Sequence, residues 1–234
     1  MKIKEASMNR KPELIVMLTH DDYTVDNART VFESCKDTGA LYWGAKEKNL
    51  THLELMNLFA CMKENGKKTV LEAVTYNEAT GLDAAKLAVK CGCDMLMGTV
   101  FGDSISSFCQ DHGLKYMPFV GQLRGRPSIM EGTVDEIVDE ARSNIEKGAF
   151  GVDLLGYRFV GNSQELNRLV VEAVDAPVCI AGSVDSYERL DEILELNPWA
   201  FTIGSAFFEN RFGLEFPEQI ENVLSYINGS GTSR

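Results

Sequence analysis

The chain has 234 residues, 35 acidic and 23 basic, for a formal charge of 23 − 35 = −12, and 44% of it is hydrophobic, the composition of an ordinary globular protein. With that charge and no Lys/Arg run, the surface repels phosphate backbones and anionic bilayers, which sets nucleic acid and membrane aside as partners. The longest apolar runs, such as Leu14 to Leu18, fall far short of the roughly 20 residues that span a bilayer, and Met1 to Lys11 is polar, without an apolar signal region, so a cytoplasmic location is expected.

In chain order, short apolar runs alternate with helical patterns eight times. The runs begin at Glu13 (ELIVML), Leu41 (LYWGAK), Thr69 (TVLEAVTY), Asp94 (DMLMGTV), Leu114 (LKYMPFV), Phe150 (FGVDLLGY), Ala176 (APVCIAGS) and Trp199 (WAFTIGS). Their starts lie 28, 28, 25, 20, 36, 26 and 23 residues apart, the length of a strand with its crossover helix. Nearly continuous apolar runs read as parallel strands covered on both faces. Between them, Val25, Ala28, Val31, Phe32 and Cys35 form an apolar stripe at helical spacing, and Leu53, Met56, Phe59, Ala60 and Met62 broadly form a second. Thr51 with Glu54 and Thr133 with Glu136 are spaced as capping boxes for the second and fifth helices. Gly39, Gly66, Gly92, Gly113 and Gly148 stand where helices should stop. Eight βα units in this length predict an α/β fold, a single (β/α)8 TIM-barrel domain, in preference to an open doubly wound sheet. Residues 1–11 and 229–234 are expected to be flexible ends.

Six cysteines without a CxxC pair and three scattered histidines offer no zinc spacing, so the cysteines read as small buried hydrophobes in a reducing compartment. No cofactor is expected and no metal site is assigned. His20, beside Asp21 and Asp22, titrates in a useful range, and that segment reads as a solvated loop or a divalent-ion site.

The active site of such a barrel lies at the C-terminal strand ends. Strand seven ends Ile180-Ala-Gly182-Ser183 and strand eight Ile203-Gly204-Ser205. Both glycines let backbone amides approach an anion, and a short helix from Ser205 suits a phosphate site. Gly182, Ser183, Gly204 and Ser205 are therefore the expected phosphate cradle.

With the segments Gly151-Val-Asp-Leu-Leu-Gly-Tyr157, Pro177-Val-Cys-Ile-Ala-Gly182 and Phe201-Thr-Ile-Gly-Ser-Ala206, the second half resembles the ribulose-phosphate-binding barrels, in particular the N-acetylmannosamine-6-phosphate epimerases. The resemblance implies the fold and a phosphate held by the two Gly-Ser turns. It does not extend to that family's catalytic set. Ala181 stands where the family has an acidic residue, Val74-Thr75-Tyr76 where it has a lysine, and Gly98 near its other acid.

Placement supplies other candidates. Glu72 and Asp153, in the middle of apolar strands, should point inward, because helices cover the outer face, and Lys46 closes the strand beside Glu72. A base next to a cation suits proton removal beside a carbonyl with stabilisation of the enolate; a desolvated lysine instead suits a Schiff base. Lys46, Glu72, Asp153 and His20 are the catalytic candidates. Val120 to Gly132, the longest connection, is the expected lid, with Arg124 and Arg126 as forked donors to an anionic substrate and Arg158 added from the sixth strand end; truncating either loop arginine is expected to weaken binding and spare stability. These features predict an isomerase or epimerase of a small sugar phosphate, with a lyase of aldolase or decarboxylase type using Lys46, or a non-catalytic phosphometabolite-binding barrel, as alternatives. The expected partner is a small phosphorylated substrate, and a homo-oligomer is compatible with this reading.

Overall fold

A computed structural model describes residues 11–229; of the ends expected to be flexible, 1–11 and 229–234, all but Lys11 and Gly229 lie outside the described residues. Eight parallel strands, β1 (Glu13–Met17), β2 (Tyr42–Lys46), β3 (Lys68–Ala73), β4 (Met95–Gly98), β5 (Lys115–Met117), β6 (Val152–Leu154), β7 (Val178–Ile180) and β8 (Ala200–Ile203), pair in the order β6-β7-β8-β1-β2-β3-β4-β5. The ring closes between β5 and β6 through a parallel bridge of Phe119 with Asp153, where the Asp153 amide donates to the Pro118 carbonyl at 2.9 Å. The fold is the TIM barrel that the alternation predicts.

Outside the strands lie α1 (Ala28–Cys35), α2 (His52–Glu64), α3 (Glu78–Lys90), α4 (Asp103–Asp111), α5 (Val134–Glu146), α6 (Ser163–Ala173), α7 (Tyr187–Leu196), the short α8 (Ser205–Phe208) and α9 (Phe216–Ile227). Thr51 and Thr133 close both reciprocal bonds of their capping boxes. The α2 stripe is rotated from the expected one. Leu55, Leu58, Phe59 and Met62 are buried, whereas Leu53 is 66% exposed, because a helix this rich in apolar residues offers more than one stripe and the sheet takes the 55/58/59/62 series. Of the five expected glycine stops, Gly39 does not take a positive φ; it lies against Leu224 of α9. Among the described residues, no helix is long and apolar enough to cross a membrane.

Strand alternation positions the site. Ile15 and Met17, Val70, Met95 and Met97, Met117, Cys179 and Ala200 pack together in the barrel, with Tyr42 and Trp199 against them. Their neighbours Leu14, Val16, Trp43, Ala45, Leu71, Leu96, Ile180, Phe201 and Ile203 pack on the other face with the helices. Counting by two from Tyr42, Val70 and Ala200 brings Lys46, Glu72 and Thr202 inward at the C-terminal end. The barrel is thus filled by apolar side chains below and polar ones at its mouth.

Candidate active site

At that mouth lies a cavity of about 240 Å³, room for a small ligand rather than a dinucleotide. Lys46, Glu72, Asp22, Arg158 and Thr202 line it, together with the turns Gly182–Ser183 and Gly204–Ser205. Register pairs Lys46 directly with Glu72 on the neighbouring strand, and Lys46 Nζ lies 3.0 Å from Glu72 Oε1 and 2.8 Å from Asp22 Oδ1. Burial opposes the charge of this ammonium, but the Glu72 and Asp22 carboxylates hold its pKa above the ordinary lysine value. Asp22 behaves conversely: burial opposes its charge, yet Lys46 and Arg158 hold its carboxyl far below the usual range.

Asp22 is the hub that reading the sequence did not single out. It sits in a two-residue hairpin turn between the short strands Thr19–His20 and Tyr23–Thr24, with Asp21 at φ 48° and Asp22 at φ 65°, the paired left-handed conformation of a tight hairpin. Its oxygens accept from Lys46 Nζ, from the Ser128 amide at 3.1 Å and from Arg158, whose Nη1 lies 3.0 Å from Oδ2. Two of those partners, Arg158 and Ser128, are 136 and 106 residues away in the chain, so no local pattern announces them.

Asp153 reaches inward past β5, where its Oδ2 accepts from the Gly98 amide at 3.0 Å while Oδ1 has no protein partner. Complete burial, reinforced by the Glu72 charge, pushes its carboxyl well above the ordinary aspartate value, and it is not part of the cavity lining. The folded chain therefore keeps a proton on Asp153 above pH 3.8, where the unfolded carboxyl has lost its own, so this residue's stabilising contribution is complete below that value and drains away as pH rises toward the folded pKa. Asp153→Asn removes that loss: in urea unfolding at pH 4.5 and pH 8, the variant should gain stability relative to the natural chain at the higher pH. Identical pH slopes for the two proteins would count against a buried neutral acid.

The phosphate candidates converge on one wall. Gly182 has φ 76° and Ser183 φ 58°, and a Cβ on Gly182 would stand 2.7 Å from Arg158 Nε, so glycine is needed both for its backbone and for the arginine lying over it. A Cβ on Gly204 would meet Thr19 Oγ1 at 2.6 Å. Thr202 Oγ1 accepts from the Gly182 amide at 3.4 Å, and Ser205 Oγ accepts from the Asp21 amide at 3.1 Å. The expected short helix from Ser205 is α8.

The remaining candidates lie apart from the cavity lining. His20, its side chain 41% exposed, stands beside it, Nδ1 3.4 Å from Asp21 Oδ2 and Nε2 3.8 Å from Glu209 Oε1. Arg124 is turned outward on the hairpin Gln122–Arg124/Ile129–Glu131 and paired at 2.7 Å with Glu131. Arg126 is committed to protein acceptors: Nη1 donates to the Asp22 carbonyl at 2.8 Å, and Nη2 donates to Glu47 Oε1 at 2.7 Å and the Val74 carbonyl at 3.3 Å. Tyr76 Oη meets the Gly125 carbonyl and Ser128 Oγ, each at 2.8 Å. The loop expected as a lid is thereby braced across the first three strand ends.

No known family pattern and no curated protein sequence matches this chain. Solved structures do. A native KDPGal structure aligns with a TM-score of 0.67 at 14% identity over 95% of this chain and 97% of its own. The tryptophan synthase alpha chain of Legionella pneumophila aligns with a TM-score of 0.66 at 14% identity over 99% and 97%, and the orotidine 5′-phosphate decarboxylase of Lactobacillus acidophilus with 0.65 at 13% identity over 94% and 100%. At such identities the likeness establishes the barrel and nothing finer. The expected resemblance to N-acetylmannosamine-6-phosphate epimerases is not shown by these likenesses.

Proposed function

We propose that this barrel is an enzyme acting on a small phosphorylated sugar or sugar acid, moving a proton next to a carbonyl through an enolate, as an isomerase or epimerase. The observation that carries this reading is Lys46, held between Glu72 and Asp22 in the wall of the cavity that the Gly182–Ser183 and Gly204–Ser205 turns also line. A substrate with its phosphate on those turns extends its carbonyl toward Lys46, whose ammonium stabilises the oxygen as it becomes an enolate. Glu72 lines the cavity as a carboxylate beside that ammonium and serves as the base. Asp153 lies outside the lining, its carboxyl pushed upward by burial and by the Glu72 charge.

The charge of Lys46 argues against it as a Schiff-base nucleophile, which needs a depressed pKa. A decarboxylating lyase that passes through an enolate uses a charged lysine equally well, and the orotidine 5′-phosphate decarboxylase among the similar folds favours keeping it as the second reading. Candidate sugar phosphates incubated with the protein in deuterium oxide should gain one deuterium at the carbon beside the carbonyl, read by mass spectrometry, and borohydride should trap nothing. A borohydride-trapped adduct on Lys46 would replace this mechanism with the aldolase one, release of carbon dioxide would select the decarboxylase, and binding without any isotope exchange or turnover would reduce the barrel to a sensor.

A further inference from the structure

Arg158 lies between the Asp22 carboxylate and the Gly182 turn. Nη1 lies 3.2 Å from Asp22 Oδ1 and 3.0 Å from Oδ2, and Nη2 lies 3.2 Å from Oδ1, a fork that fits a carboxylate and a phosphate alike. Its stem already lies over the Gly182 turn, where the space of a Cβ is occupied by Nε at 2.7 Å, Cδ at 3.1 Å and Cζ at 3.3 Å. Both side chains line the cavity, the arginine 19% exposed and Asp22 only 3% exposed. Asp22 also has other donors: Lys46 Nζ at 2.8 Å and the Ser128 amide at 3.1 Å remain if Arg158 departs, so its buried charge stays paired.

We propose that Asp22 is a built-in competitor for the substrate's phosphate. Its carboxylate occupies Arg158 until a dianion on the Gly182–Ser183 turn takes the guanidinium over. The inference rests on the phosphate cradle proposed above and deepens it by assigning how that cradle selects its ligand. A phosphate dianion outcompetes the single charge of Asp22 for the same fork, whereas a carboxylate ligand, equal in charge and less well placed, does not. The site therefore discriminates for phosphorylated over merely carboxylated sugars through an internal reference anion.

The test is calorimetric titration with inorganic phosphate at fixed ionic strength. Asp22→Asn frees Arg158 and should bind phosphate about tenfold tighter than the natural chain, while Arg158→Ala should bind about tenfold weaker, each the scale of one charge-assisted contact. In the double variant the gain from Asp22→Asn should vanish, which general loosening of the fold would not produce. If Asp22→Asn does not fold, the natural chain labelled with ¹³C at aspartate carboxyls supplies the readout: the Asp22 resonance should shift on saturation with phosphate. Binding to the natural chain that Asp22→Asn leaves unchanged or weakens, or an Asp22 resonance that phosphate does not move, overturns the exchange alone. No phosphate binding to the natural chain or to Asp22→Asn overturns the cradle and this inference with it.

Discussion

Lys46→Met should cut turnover sharply and destabilise the fold in one step. The methionine keeps the stem but leaves Glu72 buried without its cation, and removing one partner of a buried ion pair costs about 3–5 kcal/mol. Asp22 retains Arg158 and the Ser128 amide, which places the expected loss toward the lower end of that range. Loss of the cation that stabilises the enolate should slow isotope exchange by about 10²- to 10³-fold. The two effects separate in the double variant Lys46→Met/Glu72→Leu: an apolar pair of similar volume should recover most of the stability, since replacing a buried ion pair with hydrophobic side chains is often close to neutral, and should recover none of the activity. Urea unfolding beside deuterium exchange measures both. A fully active Lys46→Met protein would remove the proposed chemistry; unchanged stability would mean that Lys46 and Glu72 do not form the buried pair.

Arg126→Ala should destabilise the protein by about 2–4 kcal/mol, the scale expected when a largely buried charged partner loses its hydrogen bonds. The guanidinium ties the β1 hairpin, through the Asp22 carbonyl, to Glu47 just beyond β2 and to Val74 just beyond β3, and it rests 5.3 Å from the Tyr23 ring centroid. Two positions away, Arg124 pairs with Glu131 in solvent, so Arg124→Ala should leave the unfolding midpoint where it is. Denaturation of the two variants side by side tests the assignment: equal midpoints would return both arginines to the role of free anion ligands that the sequence suggests.

Much of the architecture is legible because it rests on local rules. Run length, capping-box spacing and the alternation of apolar runs with helical patterns gave the eight βα units, and the placement of Glu72 followed from the cost of a carboxylate among helix-covered apolar residues. Parity extends this reading: Thr202 falls two residues beyond inward Ala200 and so faces the same way. What escaped depends on distant partners. Asp22 looks like half of a solvated acidic pair until Arg158 and Ser128 are brought to it, and the difference between Arg124 and Arg126, alike in sequence context, comes from Glu47 and Val74 meeting one of them. The α2 stripe slipped for another reason: with apolar residues on several sides, periodicity admits a rotation that packing alone settles.

The register of β2 against β3, Tyr42 with Lys68 through Lys46 with Glu72, limits how this protein can change its chemistry. Because successive side chains alternate faces, deleting one residue between Tyr42 and Lys46 would turn every later position over, sending the ammonium among the helices and Ala45 into the barrel. Length variation is thus confined to the connections, and a lineage built on this frame would diversify by substitution at a few fixed inward positions while its strands stay countable residue by residue.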